Sequence, residues 1–307
     1  MLIRLPRVML SGSTECARYM LMSDLHIGSA HMDRELLRAD LQWAKDNNAH
    51  VFIAGDVFDL ILPKDHKRYT PEVYCKELRD GGSNIINTSL KLGVSLLGPY
   101  AGCIDMIGCG NHETSVQKYH ATDIVAMLIE QLSTKGKHQI RHGGYTGGIS
   151  IPITPKVACK GRENTFNNTR TLNIYYHHGS GGAAPVSKGM IDFHRMATFV
   201  DRAHVLWCGH KHNRFVDHAK IKSFGSTTEN FFYYDQFRIM TGSYATDGEG
   251  SQIDKDGCYV QSWEREKHFA PQGRGGIKLA ANLSKEDNAD NGNGRRRVTR
   301  LQLSVQL

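Results

Sequence analysis

Residues 103–113 read CIDMIGCGNHE, an apolar run that ends in glycine and then offers an amide, an imidazole and a carboxylate. The apolar part has the length and composition of a buried strand, and we predict a strand over residues 103–109. The glycine lets the backbone turn sharply where that strand ends. Polar side chains of these types directly after a buried strand indicate a metal or catalytic site.

Four other short apolar runs end in the same way, and we predict strands over residues 18–23, 50–54, 171–176 and 204–208. They are followed in turn by Asp24-x-His26, Gly55-Asp56-x-x-Asp59, His177-His178-Gly179 and Gly209-His210-x-His212. In open α/β sheets, ligands collect beyond the carboxyl ends of the strands. We therefore expect all five polar segments, including Gly110-Asn111-His112-Glu113, to face one site.

The residue types and their spacing favour a cation as the occupant of that site. In D-x-H and H-x-H the two polar residues are two positions apart, so on extended backbone both side chains point the same way and reach one cation. Carboxylate, imidazole and amide oxygen ligands without a thiolate suit Mn, Fe or Zn better than Ca.

Helical patterns separate the predicted strands. Apolar residues at helical spacing predict helices over residues 34–46, 83–97, 116–132 and 187–203. Strands that are apolar on both sides and alternate with helices indicate a sheet covered by helices on both faces. Towards the end of the chain, we predict strands over residues 230–241, 256–263 and 301–307 and a flexible polar loop over residues 281–294.

Composition narrows the class of protein. The chain has 307 residues and a formal net charge of +7. This charge suits an anionic substrate but does not by itself indicate nucleic-acid binding. Seven cysteines, an odd number with no C-x-x-C pair, argue against a disulfide framework and against a zinc ribbon. No apolar run approaches the ~18 residues of a membrane span, and the first ten residues lack the core of a signal peptide. We expect a cytoplasmic protein with no membrane partner.

The five polar segments, in this order, resemble the motifs of the calcineurin-like metallophosphoesterase superfamily: D-x-H, G-D-x-x-D, G-N-H-E/D, a histidine after the fourth strand, and G-H-x-H. The segments SDLHIGS, AGDVFDL and GNHE are most similar to the branch that includes DNA-repair exonuclease subunits and lipid-A pyrophosphohydrolases. YYDQFRIMTGSY resembles an element of some phage-encoded members. The resemblance covers roughly residues 18–245 and leaves residues 246–307 without an assigned role.

The resemblance implies an α/β (α+β) fold over a single domain, residues 1–307, in which a two-sheet β-sandwich is flanked by helices in four layers. It also implies two divalent metal ions, with Mn as the first candidate and Fe, Zn, Ni and Mg as the others. One metal would be held by Asp24, His26 and His212, the second by Asn111, His177 and His210, and Asp56 would bridge both.

The resemblance further implies catalytic roles for two residues. His112 would lie over the scissile phosphate, where it stabilises charge or protonates the leaving oxygen, and Asp59 would orient it. At the fourth segment the family has one histidine, whereas this chain offers two. Family spacing selects His177 as the ligand and leaves His178 lining the pocket.

The implied activity is phosphoester hydrolysis, as a phosphodiesterase or nuclease, in which a hydroxide that bridges the two metals attacks phosphorus in line. The substrate is a phosphoester, and the basic charge balance and the resemblance favour a nucleotide or DNA. Two alternatives stay open: a phosphomonoesterase, and a catalytically silent scaffold on the same fold.

Overall fold

A computed structural model describes residues 1–11, 15–69, 73–156, 169–182, 187–224, 231–245, 273–288 and 296–307. The strands in these ranges are β1 (Leu2–Arg4), β2 (Val8–Leu10), β3 (Ala17–Met22), β4 (His50–Ile53), β5 (Ile104–Gly108), β6 (Arg141–Gly144), β7 (Thr146–Pro155), β8 (Arg170–His177), β9 (Val205–Cys208), β10 (Phe215–Phe224), β11 (Phe231–Met240), β12 (Ile277–Asn288) and β13 (Arg296–Gln306). The α-helices are α1 (Arg34–Asp46), α2 (Lys76–Asp80), α3 (Ile85–Leu97), α4 (Asn111–His120), α5 (Ile124–Gly136) and α6 (Met190–Ala197).

The strands form two mixed sheets. The first has the order β1-β7-β8-β9-β11-β10, with β2 also paired to β7, and the second has the order β13-β12-β3-β4-β5-β6. In the second sheet, β3, β4, β5 and β6 pair in parallel, whereas β12 is antiparallel to both of its neighbours. In the first sheet, β8, β9 and β11 are parallel. The expected α+β class is confirmed, and the parallel strands bring the carboxyl ends of β3, β4 and β5 to one edge.

Three hydrophobic cores explain why the central strands are apolar on both sides. Tyr19 and Phe52 of the second sheet pack with Tyr176 and Trp207 of the first in a core that both sheets share. Met20, next to Tyr19 on β3, points the opposite way, into a core with α1, α3 and α5. A smaller core joins α6 to β9 and β11 of the first sheet.

Most predicted elements are confirmed, but two helices differ. Helix α1 begins at residue 34 and ends at residue 46, as predicted. The helix predicted over residues 116–132 is wrong, because Ala121 adopts a left-handed φ of 50° that ends α4. Asp123 then caps α5 by accepting the backbone N–H of Ala126 at 2.9 Å. The helix predicted over residues 187–203 is shorter and spans only α6.

The polar loop predicted over residues 281–294 is wrong as far as residue 288, because these residues belong to β12. Antiparallel pairing with β13 gives the backbone of residues 278–288 its partners whatever the polarity of the side chains. The rest of that predicted loop, and the strand predicted over residues 256–263, lie outside the described residues.

The remaining expectations concern cysteines and membranes. Cys109 and Cys208 are buried, as the apolar runs around them predict. Both are free thiols, as are Cys75 and Cys103. None of the helices in the part of the chain that the structure describes is long and apolar enough to cross a membrane.

Candidate metal centre

The loops that follow β3, β4, β5, β8 and β9 meet at one edge of the two sheets. The backbone N–H of Asp24 donates to the carbonyl oxygen of Gly55 at 3.0 Å, and the N–H of His26 donates to that of Asp56 at 3.1 Å. The N–H of Gly209 likewise donates to the carbonyl oxygen of His178 at 2.9 Å. Backbone hydrogen bonds therefore join the first polar segment to the second and the fourth to the fifth.

Five of the predicted site residues have left-handed backbone. Their φ angles are 54° at Asp24, 48° at His26, 46° at Asp56, 68° at His210 and 53° at His212. The prediction that D-x-H and H-x-H lie on extended backbone is therefore wrong, because both residues of each pair adopt a left-handed turn. Aspartate and histidine are among the non-glycine residues that most often accept this conformation, which costs roughly 1–2 kcal/mol per residue.

Asp24, His26 and His212 form a first group that could hold a metal ion, with one ligand atom of each within 4.8 Å of the others. Nε2 of His26 lies 3.2 Å from Nε2 of His212, which lies 3.4 Å from Oδ1 of Asp24. The backbone N–H of His210 donates to Oδ2 of Asp24 at 2.9 Å. Burial raises the pKa of Asp24, but the hydrogen bond and charge of His212 outweigh it, so the pKa falls to about 2 and the carboxylate is ionised at neutral pH.

Asp56, His178 and His210 form a second group of the same kind. Nδ1 of His178 lies 2.8 Å from the carbonyl oxygen of Ala54, so Nδ1 carries the hydrogen and donates it. Nε2 of the neutral ring is then an acceptor, and it lies 3.2 Å from Oδ2 of Asp56. Two acceptors this close need a proton or a cation between them. A fixed tautomer with its other nitrogen aimed at a carboxylate fits a metal-ligating histidine.

Without a metal, a proton makes the contact between His178 and Asp56 favourable. Burial lowers the pKa of His178, but the charge of Asp56 and the hydrogen bond to it outweigh burial and raise the pKa to about 9. Burial also raises the pKa of Asp56, yet His178 and His112 hold it well below its ordinary value. The pair is therefore an ionised carboxylate beside an imidazole that binds a cation or a proton.

The geometry favours His178 over the predicted His177 as the ligand of the fourth segment. Tyr176 points into the core between the sheets, and alternation sends His178, two residues later, to the same side. His177 points the other way, is half-buried, and its Nδ1 accepts the backbone N–H of Gly179 at 2.9 Å. Among the described residues, His177 belongs to none of the groups that could hold a metal.

Asn111, the first residue of α4, presents its amide to the second group. One terminal atom of the amide lies 2.7 Å from Nδ1 of His210 and 3.2 Å from Oδ2 of Asp56, and the other lies 3.3 Å from Nη1 of Arg68. With the nitrogen towards His210 and Asp56, the amide donates to both. With the oxygen there, three acceptors converge, an arrangement that suits a cation. Residues Asp56, Asn111, His178 and His210 therefore fit a metal through donor chemistry as well as position.

His112 and Asp59 lie beside these groups. Nδ1 of His112 is 3.2 Å from Oδ1 of Asp59, and Nε2 of His112 is 3.9 Å from Oδ2 of Asp56. Burial lowers the pKa of His112, but the charge of Asp56 and the hydrogen bond to Asp59 outweigh it and raise the pKa to about 9. With His26, these two residues form a third group that could hold a metal, His26 Nδ1 being 3.8 Å from Asp59 Oδ1.

Glu113 has a structural role that the sequence analysis missed. Its buried carboxylate accepts the backbone N–H groups of Asp56 at 3.1 Å, Phe58 at 2.9 Å and Gly110 at 2.7 Å. It thereby joins the loop after β4 to the start of α4, where the N–H of His112 donates to Oδ1 of Asp56 at 3.0 Å. The signal was its position three residues after Gly110, the helix cap, where a glutamate typically reaches back.

Glycine is required where these two loops touch. A Cβ on Gly110 would overlap Oδ1 of Asp56 and lie 2.5 Å from the backbone nitrogen of Asp56. A Cβ on Gly55, whose φ is 98°, would lie 2.5 Å from the backbone of Cys109. The close approach of the second and third segments therefore depends on both glycines.

No family model matches this sequence, and no curated protein matches it. Among solved structures, the chain is similar to GAP50, the anchor in the inner membrane complex of Plasmodium, at 11% identity and a TM-score of 0.39. That similarity covers 92% of this chain and 89% of the other. Similarity at this level indicates neither a shared fold nor a shared activity.

Proposed function

We propose that the protein is a metal-dependent phosphoester hydrolase, a phosphodiesterase or nuclease, of the calcineurin-like metallophosphoesterase superfamily. The observation that supports this most is the convergence of the two His/Asp groups with Asn111 and the His112–Asp59 pair, supplied by the ends of five strands. The core shared by two sheets, with helices on their outer faces, fits the four-layer β-sandwich of that superfamily.

The donor atoms divide into two metal sites. Asp24, His26 and His212 would hold one ion, Asn111, His178 and His210 would hold the other, and Asp56 would contribute to both sites. The lowered pKa values of Asp24 and Asp56 keep both carboxylates ionised at neutral pH, as cation binding requires. The mixed oxygen and nitrogen set favours Mn, with Fe, Zn, Ni and Mg as the other candidates. When bound, two such ions polarise phosphoryl oxygens and lower the pKa of water.

His112 supplies proton chemistry next to the metal sites. Nδ1 of the ring lies 3.2 Å from Oδ1 of Asp59, and in the metal-free protein the charge of Asp56 and the hydrogen bond to Asp59 raise the pKa of His112 to about 9, so that Nε2–H is a donor at neutral pH. An N–H in this position stabilises the charge that builds on a phosphoryl oxygen and passes a proton to the leaving oxygen. Asp59 therefore orients the ring and holds its charged form.

The test is hydrolysis by protein that has been stripped with a chelator and reloaded with Mn. We expect about two Mn per chain and metal-dependent cleavage of phosphodiesters. The substrate panel contains a phosphomonoester, a phosphodiester, a cyclic nucleotide, and single- and double-stranded DNA. A protein that binds two Mn and cleaves nothing would be a binding scaffold, and cleavage of the monoester alone would make it a phosphomonoesterase.

A further inference from the structure

Arg68 reaches the candidate metal centre from a charged segment that precedes α2. Its Nη1 lies 3.3 Å from a terminal atom of the Asn111 amide. The side chain is 44% exposed, so a molecule that enters the site from solvent can contact it. No sequence pattern connects Arg68 with the five polar segments, and the roles assigned to those segments do not use it.

The guanidinium is held in a fixed orientation. Nε and Nη2 of Arg68 both donate to Oδ2 of Asp65, at 2.9 and 2.5 Å. The same oxygen accepts the hydroxyl of Ser115 on α4 at 3.1 Å. Since α4 also carries Asn111 and His112, Asp65 fixes Arg68 relative to the helix that forms one wall of the site.

The Asn111 amide determines what Nη1 can bind. With the amide nitrogen towards Asp56 and His210, the amide oxygen accepts from Nη1 of Arg68. When the oxygen turns to a cation, the NH2 group faces Nη1 instead, and a donor then faces a donor. Asp65 takes two of the five N–H groups of a guanidinium, so an N–H on Nη1 is left to find another acceptor.

We propose that Arg68 is a phosphate-binding residue of this site, which donates from Nη1 to a non-bridging oxygen of the substrate phosphate once a metal has turned the Asn111 oxygen away. This rests on the proposed function in placing a metal at Asn111. An anionic phosphate oxygen is a strong acceptor for a guanidinium, and the planar fork explains arginine rather than lysine. Asp65 acts as its positioning residue.

The experiment measures binding of inorganic phosphate to the Mn-loaded protein by equilibrium dialysis, with Mn counted by mass spectrometry. Arg68→Ala should keep about two Mn and bind phosphate about 10- to 100-fold more weakly, the range for a lost charge-assisted hydrogen bond. Arg68→Lys, which keeps the charge but loses the fork, should lie between. Without Mn, the wild type and Arg68→Ala should differ less, because the Asn111 oxygen then occupies Nη1.

Arg34→Ala is the matched control, because Arg34 is also partly exposed and held by one carboxylate, that of Glu77 at 2.8 Å. Its phosphate affinity should equal that of the wild type. Equal affinity in Arg68→Ala, or loss of Mn from Arg68→Ala, overturns the proposal, since Arg68 would then be idle or would act on the metal site itself.

The two proposals fail separately. If the wild type binds Mn and binds phosphate through Arg68 but cleaves no substrate, the hydrolase proposal is wrong and the role of Arg68 stands. If the wild type cleaves phosphodiesters and Arg68→Ala binds phosphate as well as the wild type does, the role of Arg68 is wrong and the hydrolase proposal stands.

Discussion

Nε2 of His178 lies 3.2 Å from Oδ2 of Asp56, and both side chains are buried. Because Nδ1–H of His178 is held by Ala54, only a proton or a cation makes this contact favourable. His178→Ala should therefore purify with about one Mn per chain, whereas the neighbouring control His177→Ala should keep about two. Metal counting on both variants decides this, and loss of Mn from His177→Ala alone would reverse the assignment.

Protons should compete with metal at the same contact. His178 has its pKa raised from 6.5 to about 9, so the metal-free ring is protonated at neutral pH. A metal has to displace that proton, and we expect Mn affinity to rise with pH until about 9. Titrations of Mn into stripped protein across this range measure the effect. Affinity that is constant between pH 6.5 and 9 would contradict it.

The thermal stability of the metal-free protein provides an independent test of the raised pKa of His178. A pKa raised in the folded state means that protonation stabilises the fold, fully below 6.5 and less and less as the pH rises through about 9. His112, whose pKa is also raised to about 9, acts in the same direction. The Tm in chelator should therefore fall over this range, and the fall should be smaller in His178→Ala.

In the proposed centre, the single charge of Asp56 would serve both metal sites. Asp56→Asn should abolish hydrolysis and weaken Mn binding at both sites, because the amide removes the charge while it keeps the shape. The control is Asp201→Asn, an exposed aspartate paired only with Arg202 among the described contacts. Activity assays and Mn counting test the prediction, and an active Asp56→Asn would disprove the proposed centre.

We expect His112 to contribute to proton transfer and not to metal binding. His112→Ala should keep about two Mn per chain while kcat falls about 10²–10⁴-fold, the range for general acid–base groups. The kcat and the Mn content are measured on the same preparation. Loss of Mn would instead make His112 a ligand, together with His26 and Asp59.

Replacement of Gly110 should affect both the free energy of unfolding and metal binding at the candidate centre. In Gly110→Ala the new methyl overlaps the carboxylate of Asp56, so we expect a loss of about 1–3 kcal/mol in the free energy of unfolding, together with weaker Mn binding. Urea unfolding of the metal-free protein measures the first effect. Gly102→Ala is the control, because its Cβ would have no neighbour within 4 Å and should leave both properties nearly unchanged.

The sequence predicted those features that local patterns determine. Apolar runs that end in glycine and metal-ligand residues indicated the five strand ends, and α1 was placed correctly by its periodicity. The histidine that reaches Asp56 depends on where β8 ends within its sheet, although the alternation of Ile174, Tyr176 and His178 carried that signal. Arg68 could not be predicted, since its contact with Asn111 forms only in the folded chain.

The left-handed backbone at Asp24, His26, Asp56, His210 and His212 has an evolutionary consequence. Glycine adopts this conformation without the penalty that these side chains incur. The carboxylates of Asp24 and Asp56 offset that penalty in part, because they accept the backbone N–H groups of His210 and His112. A descendant that stopped binding metal would relieve this backbone strain by changing to glycine or asparagine at His26, His210 and His212. Homologues that have kept the chemistry can thus be separated from those that have lost it by the residues they tolerate on strained backbone.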